Sequence, residues 1–407
     1  MKIVRIIARL NVGGPARHVV WLTQELQSDE FESVLLTGTV PEGEEDMSYF
    51  AGQHGVAPVF IPEMSRELSP KDVVSLWKVF HLIRREKPDI IHTHTAKAGT
   101  IGRAAGLLYR IFSRRDVKLV HTYHGHVFHS YYGNLKTKVF LAIERTLARV
   151  ATDRIIAISE QQRSEINGQF RVGRASQFNV IPLGIDLSGF TAEPAKREAF
   201  RKKIGAADDE ILVGFVGRLT EIKNIPLLLR VARLYRSRRG DGLPKLRFVI
   251  IGDGHLRESL AAEAANLGIE DVLTFAGNRN DPDVFYSGLD IVALTSLNEG
   301  TPLSLIEAMA SAKPVISTAV GGVVDLVGAG QRSGDGFMLN ERGITVVSND
   351  AEGFFNGLIE LARNADLQRE LGEVGRRYVH DNYSKERLIA DIAGLYRGLL
   401  GSSKSTA

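Results

Sequence analysis

Two acids eight residues apart, Glu299 and Glu307, are the groups in this chain whose type and spacing most clearly suit chemistry. They sit in Asn298-Glu299-Gly300-Thr301-Pro302-Leu303-Ser304-Leu305-Ile306-Glu307-Ala308-Met309-Ala310. Glu299 falls in a loop and Glu307 two turns into the helix that follows. The backbone N–H groups of Gly300 and Thr301, at a helix start, suit phosphate oxygens. A carboxylate accepting two bonds from vicinal hydroxyls suits a ribose. The bland alternative is one capping Glu and one solvated Glu. It is weakened by the apolar neighbours of Glu307 (Ile306, Ala308 and Met309).

Three further turns carry ligand-binding residue types. Gly217-Arg218-Leu219-Thr220-Glu221-Ile222-Lys223-Asn224 follows a predicted strand. Arg218 offers a planar fork and Lys223 a point charge, and the two can converge on a diphosphate or simply form a solvated surface pair. Gly252-Asp253-Gly254 also follows a strand; it permits close approach of a ligand but equally serves as a generic turn. Gly13-Gly14-Pro15 opens a helix, where free N–H groups attract anions. Neither a Walker A motif nor Gly-x-Gly-x-x-Gly occurs. A fifth stretch, Val120-His121-Thr122-Tyr123-His124-Gly125-His126-Val127-Phe128-His129, ends a strand. His124 and His126 have metal-ligand spacing, but no acid stands near them in sequence and their surroundings are basic. A ligand-contacting histidine at a strand end is the favoured reading, with no metal.

The elements that must position these residues alternate along the chain. Predicted strands are Lys2–Ile7, Ser33–Leu36, Ala57–Ile61, Ile90–His92, Lys118–His121, Arg154–Ile158 and Phe178–Pro182, with helices between them. One such helix spans 70–87, with apolar Val73, Val74, Trp77, Phe80 and Ile83 at helical spacing. The pattern restarts with strands at Ile211–Val216, Lys245–Ile251, Val272–Phe275, Ile291–Leu294 and Pro314–Ser317 and helices from about Ile225, Leu256, Pro302 and Asn349. The expectation is an α/β protein of two Rossmann-like, doubly wound parallel-sheet domains facing a cleft. The domains are placed at 1–187 and 188–383, with a linker near 183–192 and a last helix, 384–400, packing back on the first domain.

The bulk composition fits this picture. A 407-residue chain with 44% hydrophobic and 24% charged residues can bury two cores. Zero cysteines exclude disulfides, Cys-ligated zinc and a thiol nucleophile. Arg5 and Arg9 interrupt the first apolar run, which reads as a buried strand and not a secretory leader. No run is long and apolar enough to span a bilayer. The net charge of +3 does not suggest a nucleic-acid binder. The stretch 97–149 is nevertheless basic, its acids being Asp116 and Glu144.

Together these residues resemble the retaining glycosyltransferases of family 4, which have the GT-B fold. The likeness rests on Gly13-Gly14, the Thr-x-His strand end, Ile181-Pro182-x-Gly184-Ile185-Asp186, Gly217-Arg218-Leu219-x(3)-Lys223, Gly252-Asp253-Gly254 and above all Glu299-x(7)-Glu307. The resemblance implies that Arg218 and Lys223 hold a donor diphosphate, helped by amides at Gly14, Gly300 and Thr301. It puts Glu307 on the ribose, Glu299 on the transferred sugar, and Gly277, Asn278 and Arg279 by the base. It also implies that Gly252 and Gly254 line the donor site and that His124 faces the reacting sugar. Arg218, Lys223, Glu299 and His124 form the catalytic set. Thr301 stands where the family more often has an apolar residue, and Leu183 replaces the usual Asn. His92-Thr93-His94-Thr95-Ala96-Lys97-Ala98-Gly99 with Tyr123-His124-Gly125-His126-Val127-Phe128 resembles members that build bacterial surface polysaccharides on lipid carriers.

The resulting expectation is transfer of a hexosyl or N-acetylhexosaminyl group from a nucleoside-diphosphate sugar, UDP before GDP, to a sugar or lipid-linked acceptor. No cofactor and no metal are expected. Arg17, His94, Lys97, Arg103 and His126 are the acceptor or membrane candidates. An anionic membrane surface is an expected partner, met by Ala104, Ala105, Leu107, Leu108, Ile111 and Phe112 with Arg103, Arg110, Arg114 and Arg115. The expected address is the cytoplasm, peripheral on the inner face of the membrane. The alternative weighed is a nucleotide-sugar 2-epimerase of the same architecture; a non-catalytic membrane or nucleic-acid binder is the third reading.

Overall fold

A computed structural model describes residues 1–11, 14–41, 46–64, 70–124, 134–191, 193–240 and 242–401. The chain forms two compact units, one from Met1–Ile185 with the segment from Lys385 onward, the other from Asp186–Ser384.

The first unit is built on a seven-stranded sheet of β1 (Lys2–Arg9), β2 (Glu32–Gly38), β3 (Val59–Phe60), β4 (Ile90–His94), β5 (Lys118–Thr122), β6 (Arg154–Ala157) and β7 (Phe178–Val180). The order is β3-β2-β1-β4-β5-β6-β7, all parallel. Apolar runs such as Ile3, Val4, Ile6 and Ile7 are buried because helices cover both faces. The order reverses at β1/β4, so a crevice lies beyond the carboxyl ends of those strands.

The C-terminal helix Lys385–Gly401 belongs to this unit. Leu388, Ile392, Ala393 and Tyr396 pack with Ile3, Leu22, Phe31, Ile90 and Val120. Tyr396 Oη lies 2.6 Å from His92 Nδ1, and Arg397 pairs with Glu30 at 2.7 Å.

The helix Ala96–Ser113 comes down onto the sheet through a stripe of glycines. A Cβ on Gly99 would lie 2.4 Å from the His121 ring, on Gly102 2.5 Å from Thr93, and on Gly106 2.3 Å from Leu119. Any side chain there would lift the helix off the strand ends.

The second unit holds an eight-stranded sheet: β8 (Ile211–Val216), β9 (Leu246–Ile251), β10 (Leu273–Gly277), β11 (Ile291–Leu294), β12 (Val315–Thr318), β13 (Gly330–Ser333), β14 (Phe337–Asn340) and β15 (Gly343–Val346). Its order is β10-β9-β8-β11-β12-β15-β14-β13, parallel except for β14, which runs antiparallel to β13 and β15. The sequence reading did not include these last three strands. Each has four residues, and β13 is exposed along its length, so no period-2 signal develops.

Two expectations about the helices are corrected. In Lys71–Glu86 the inward residues are Ser75, Val79 and Ile83, with Leu76, Phe80 and Leu82 half-buried against the core. Val73 and Trp77 are instead 71% and 61% exposed. Apolar type alone does not force burial, and packing against Ala96–Ser113 selects the helix face. In the second case, Arg103 is not a membrane or acceptor contact. It is fully buried and pairs with fully buried Glu144 at 2.6 Å, while Tyr123 donates to the other Glu144 oxygen at 2.5 Å. Ala105 is core, and Arg110 pairs with Asp153. Of the proposed apolar face, Ile111 and Phe112 remain well exposed. No helix among the described residues is long and apolar enough to cross a membrane.

Candidate active site

In the second unit, the motifs read separately along the chain converge beyond the ends of β8, β9 and β11. The switch point of this sheet lies at β8/β11. From β8 the chain enters Gly217–Asn224, whose backbone is tied to its neighbours: Gly217 N–H donates to Ile251 O, Leu219 N–H to Asp253 O and Leu297 N–H to Ile222 O. Gly252 shows why glycine stands there: at φ 135°, its Cβ would lie 2.0 Å from the Gly217 carbonyl oxygen. Gly254 packs similarly against Leu219.

The charged centre is Lys223 with Glu299. Lys223 Nζ lies 2.5 Å from Glu299 Oε1, and both side chains are largely sheltered. Ser296 Oγ donates to the same carboxylate oxygen at 2.5 Å, and Thr295 Oγ1 donates to the Lys223 carbonyl. Thr318 Oγ1, at the end of β12, donates to the Ser296 carbonyl. Arg218 is exposed nearby in sequence and, among the described residues, no carboxylate pairs with it. Glu307 lies on the helix Leu303–Ala310, with Tyr286 Oη 3.1 Å from its Oε2. Burial and the Glu307 charge push the Tyr286 phenol well above its usual value, so it stays protonated and can donate. Arg279 turns toward Asp281, with Nε 2.9 Å from Oδ1, and lies over the Phe200 ring; Asn278 is exposed.

The sequence reading missed Gly321-Gly322, Ser296, Thr318 and Tyr286. The glycine pair had a visible signal, since it follows a strand in Thr318-Ala319-Val320-Gly321-Gly322. Its turn lies on the Glu299–Gly300 loop: Gly322 N–H donates to Glu299 O at 3.0 Å, and a Cβ on Gly322 would lie 1.7 Å from Gly300 O. Gly322→Ala should therefore displace the loop at a cost of about 1–3 kcal/mol, as overpacking usually does. The expected result is a folded protein whose affinity for the expected nucleotide sugar is down roughly tenfold or more. Unchanged affinity by calorimetry would show that the 299–301 loop plays no part in binding.

In the first unit, histidines from three elements meet at the sheet's carboxyl edge. His18 lies in the helix Gly14–Glu25, His94 ends β4, and His124 follows β5. His94 Nδ1 lies 2.9 Å from His124 Nε2, and the His18 ring packs edge-on to both. Burial pulls the His124 imidazole down to about 4 and holds His18 and His94 well below the ordinary value, so all three are neutral near pH 7. Between His94 and the next helix, Thr95 has φ 67° and ψ 159°, a strained conformation for a β-branched residue. Gly14 opens its helix, and Arg17 is exposed on it. Lys97 is nearly buried and pairs with Asp72 at 2.6 Å. Gly13 and His126 lie outside the described residues.

The model of the family "Glycosyl transferases group 1" matches residues 196–378, and that of "Glycosyltransferase Family 4" matches residues 12–188. An Escherichia coli "UDP-Gal:alpha-D-GlcNAc-diphosphoundecaprenol alpha-1,3-galactosyltransferase" is 30% identical over 308 residues, which cover 75% of each chain. The chain belongs to the family 4 glycosyltransferases. It is an enzyme of glycosyl transfer, and these comparisons give no support to the epimerase alternative. The "Capsular polysaccharide biosynthesis glycosyltransferase CapM" of Staphylococcus aureus is 26% identical over 342 residues, 82% of this chain and 83% of that one. Among solved structures, Anabaena HepE in complex with UDP superimposes with a TM-score of 0.78 at 20% identity, covering 98% of this chain and 100% of that one. That likeness establishes the GT-B fold.

Proposed function

We propose that this glycosyltransferase moves a hexosyl or N-acetylhexosaminyl group from a UDP-sugar to a hydroxyl of a lipid-linked or polysaccharide acceptor in surface-polysaccharide synthesis, with retention and without a metal. The observation that carries the reading is the convergence of Lys223, Glu299 and glycine-walled turns at the β8/β11 strand ends. The printed names of the relatives support the donor and acceptor classes: a UDP-galactose donor with a diphosphoundecaprenol-linked acceptor, and capsular polysaccharide synthesis.

Arg218 and Lys223 neutralise the departing diphosphate, together with backbone amides at Gly14, Gly300 and Thr301. Glu307, oriented by Tyr286, takes the ribose hydroxyls, and the base lies by Gly277, Asn278 and Arg279. Glu299 and His124 contact the transferred sugar. The bond from C1 to the diphosphate breaks, the acceptor oxygen bonds C1 on the same face, and the acceptor proton passes to a departing phosphate oxygen. Fixed cations do the work a metal would otherwise do. Arg17 and His94 would meet the acceptor, Lys97 being held by Asp72, while Trp77, Ile111 and Phe112 with Arg114 and Arg115 offer a surface for an anionic membrane on the cytoplasmic side.

Thermal shift against a panel of UDP- and GDP-sugars tests the donor. A ligand at 100 times its Kd should add about 2.7 kcal/mol of stability. Stabilisation is expected with a UDP-sugar, and transfer with that donor should persist in EDTA. Stabilisation by GDP-sugars alone would overturn the donor assignment. Loss of transfer in EDTA, restored by magnesium or manganese, would overturn metal independence.

A further inference from the structure

We infer that His18, His94 and His124 form a binding site for a borderline divalent cation, zinc foremost, and that zinc held there blocks glycosyl transfer. The blocking half rests on His124 facing the transferred sugar, as proposed above; the binding half does not.

One potential ligand atom from each ring lies within 4.8 Å of the others. Zinc–nitrogen bonds of about 2.0 Å in a tetrahedron require nitrogens roughly 3.3 Å apart. Ring rotations of an ångström or so therefore bring the three into place. The rings come from a helix and two strand ends, so the site is assembled by the fold.

The hydrogen bonding singles out these rings from their neighbours. His92, stacked beside His94, uses both nitrogens, on Tyr396 and Thr122. Among the described residues, His18, 3% exposed, has no partner on either nitrogen, and His94 Nε2 and His124 Nδ1 also lack one. A buried polar atom without a partner costs roughly 1–3 kcal/mol. A cation coordinated by one His18 nitrogen would give that ring a partner that no described group supplies.

The donor set also selects the ion. Imidazoles favour zinc, copper and nickel, whereas magnesium and calcium require oxygens. Neutral rings are the ligating form, so no proton has to leave first. Arg5 and Arg387 act electrostatically on His18 and repel a dication, which places the affinity below that of a structural zinc site. Three ligands leave the fourth tetrahedral position open for water or an anion. With zinc on His124, that ring is unavailable to the sugar.

The experiment uses the full chain, stripped with a chelator and titrated with zinc chloride by calorimetry, with cobalt absorption as an independent readout. One zinc per chain is expected, with no comparable signal from magnesium. Losing a mere outer-shell partner weakens metal sites about 10–100-fold, so His18→Ala and His18→Gln should weaken zinc by at least that much. Both variants should keep transfer while escaping zinc inhibition. Zinc binding undiminished in both folded His18 variants, or no saturable binding to the wild type, overturns the site. Zinc binding at the three histidines without transfer from any nucleotide sugar would sink the donor reading and leave the site standing. Transfer that persists with zinc bound would overturn the blocking role.

Discussion

Lys223→Ala and Arg218→Ala should each lower turnover about 10²–10³-fold while keeping the fold and much of the nucleotide-sugar affinity. Negative charge builds on the diphosphate as the anomeric bond stretches, so a fixed cation gains attraction during the reaction. Lys223 is fixed: its Nζ is 2.5 Å from Glu299 Oε1, and its carbonyl accepts from Thr295 Oγ1. The pair also separates two readings of the lysine. If it were only an ion pair near the surface, its loss would cost about 0–1 kcal/mol of stability and leave catalysis intact. Under the proposed role, Lys223→Ala removes a cation from the leaving group and the counter-charge from Glu299, leaving that carboxylate with Ser296. Arg218, exposed and without a carboxylate partner among the described residues, tests the phosphate role separately from the ion pair. Steady-state kinetics at saturating donor and acceptor decide the matter. Near wild-type turnover in either variant would remove that residue from the phosphate grip.

Acid should unfold the first unit cooperatively over a narrow range below about pH 6.5. Burial lowers His18, His92, His94, His121 and His124 below the ordinary imidazole value, His124 to about 4. A folded pKa below the unfolded one means that the unfolded chain binds more protons, so stability rises with pH across that window and falls as pH drops below about 6.5. Each such histidine removes roughly 1.4 kcal/mol per pH unit while its folded form stays neutral. The five shifts have the same sign, so their losses add and the stability of this unit falls steeply as pH drops below about 6.5. Hydrogen exchange followed from pH 7 to pH 5 should show protection lost in β1, β4 and β5, and unfolding at pH 5.5 should take up several protons. Equal protection of these strands at pH 7 and pH 5 would show that the rings are protonated in the folded state at little cost.

The sequence by itself determined the architecture to within a residue or two at most strands, because buried parallel strands are continuous apolar runs separated by helical patterns. β8 and β11 start and end where the apolar runs do, and β4 and β5 run on to His94 and Thr122 past their apolar cores. It also marked the glycine-containing and charged turns that the fold gathers at the strand ends, because such residues are local signals. Tertiary packing alone decided what those turns make together. Lys223 and Glu299 are 76 residues apart, and their contact exists because β8 and β11 are neighbours in the sheet. Gly321-Gly322 matters through a backbone it touches only in the fold. Arg103, read from its basic neighbourhood as a surface group, lies buried because Glu144, 41 residues away, meets it inside. His18 carries no motif that sets it apart, yet it joins His94 and His124 because a helix start and two strand ends meet at one edge of a sheet. Local pattern fixes elements through backbone propensity and burial period. Side-chain partnerships depend on strand order and helix face, which no short window of sequence contains.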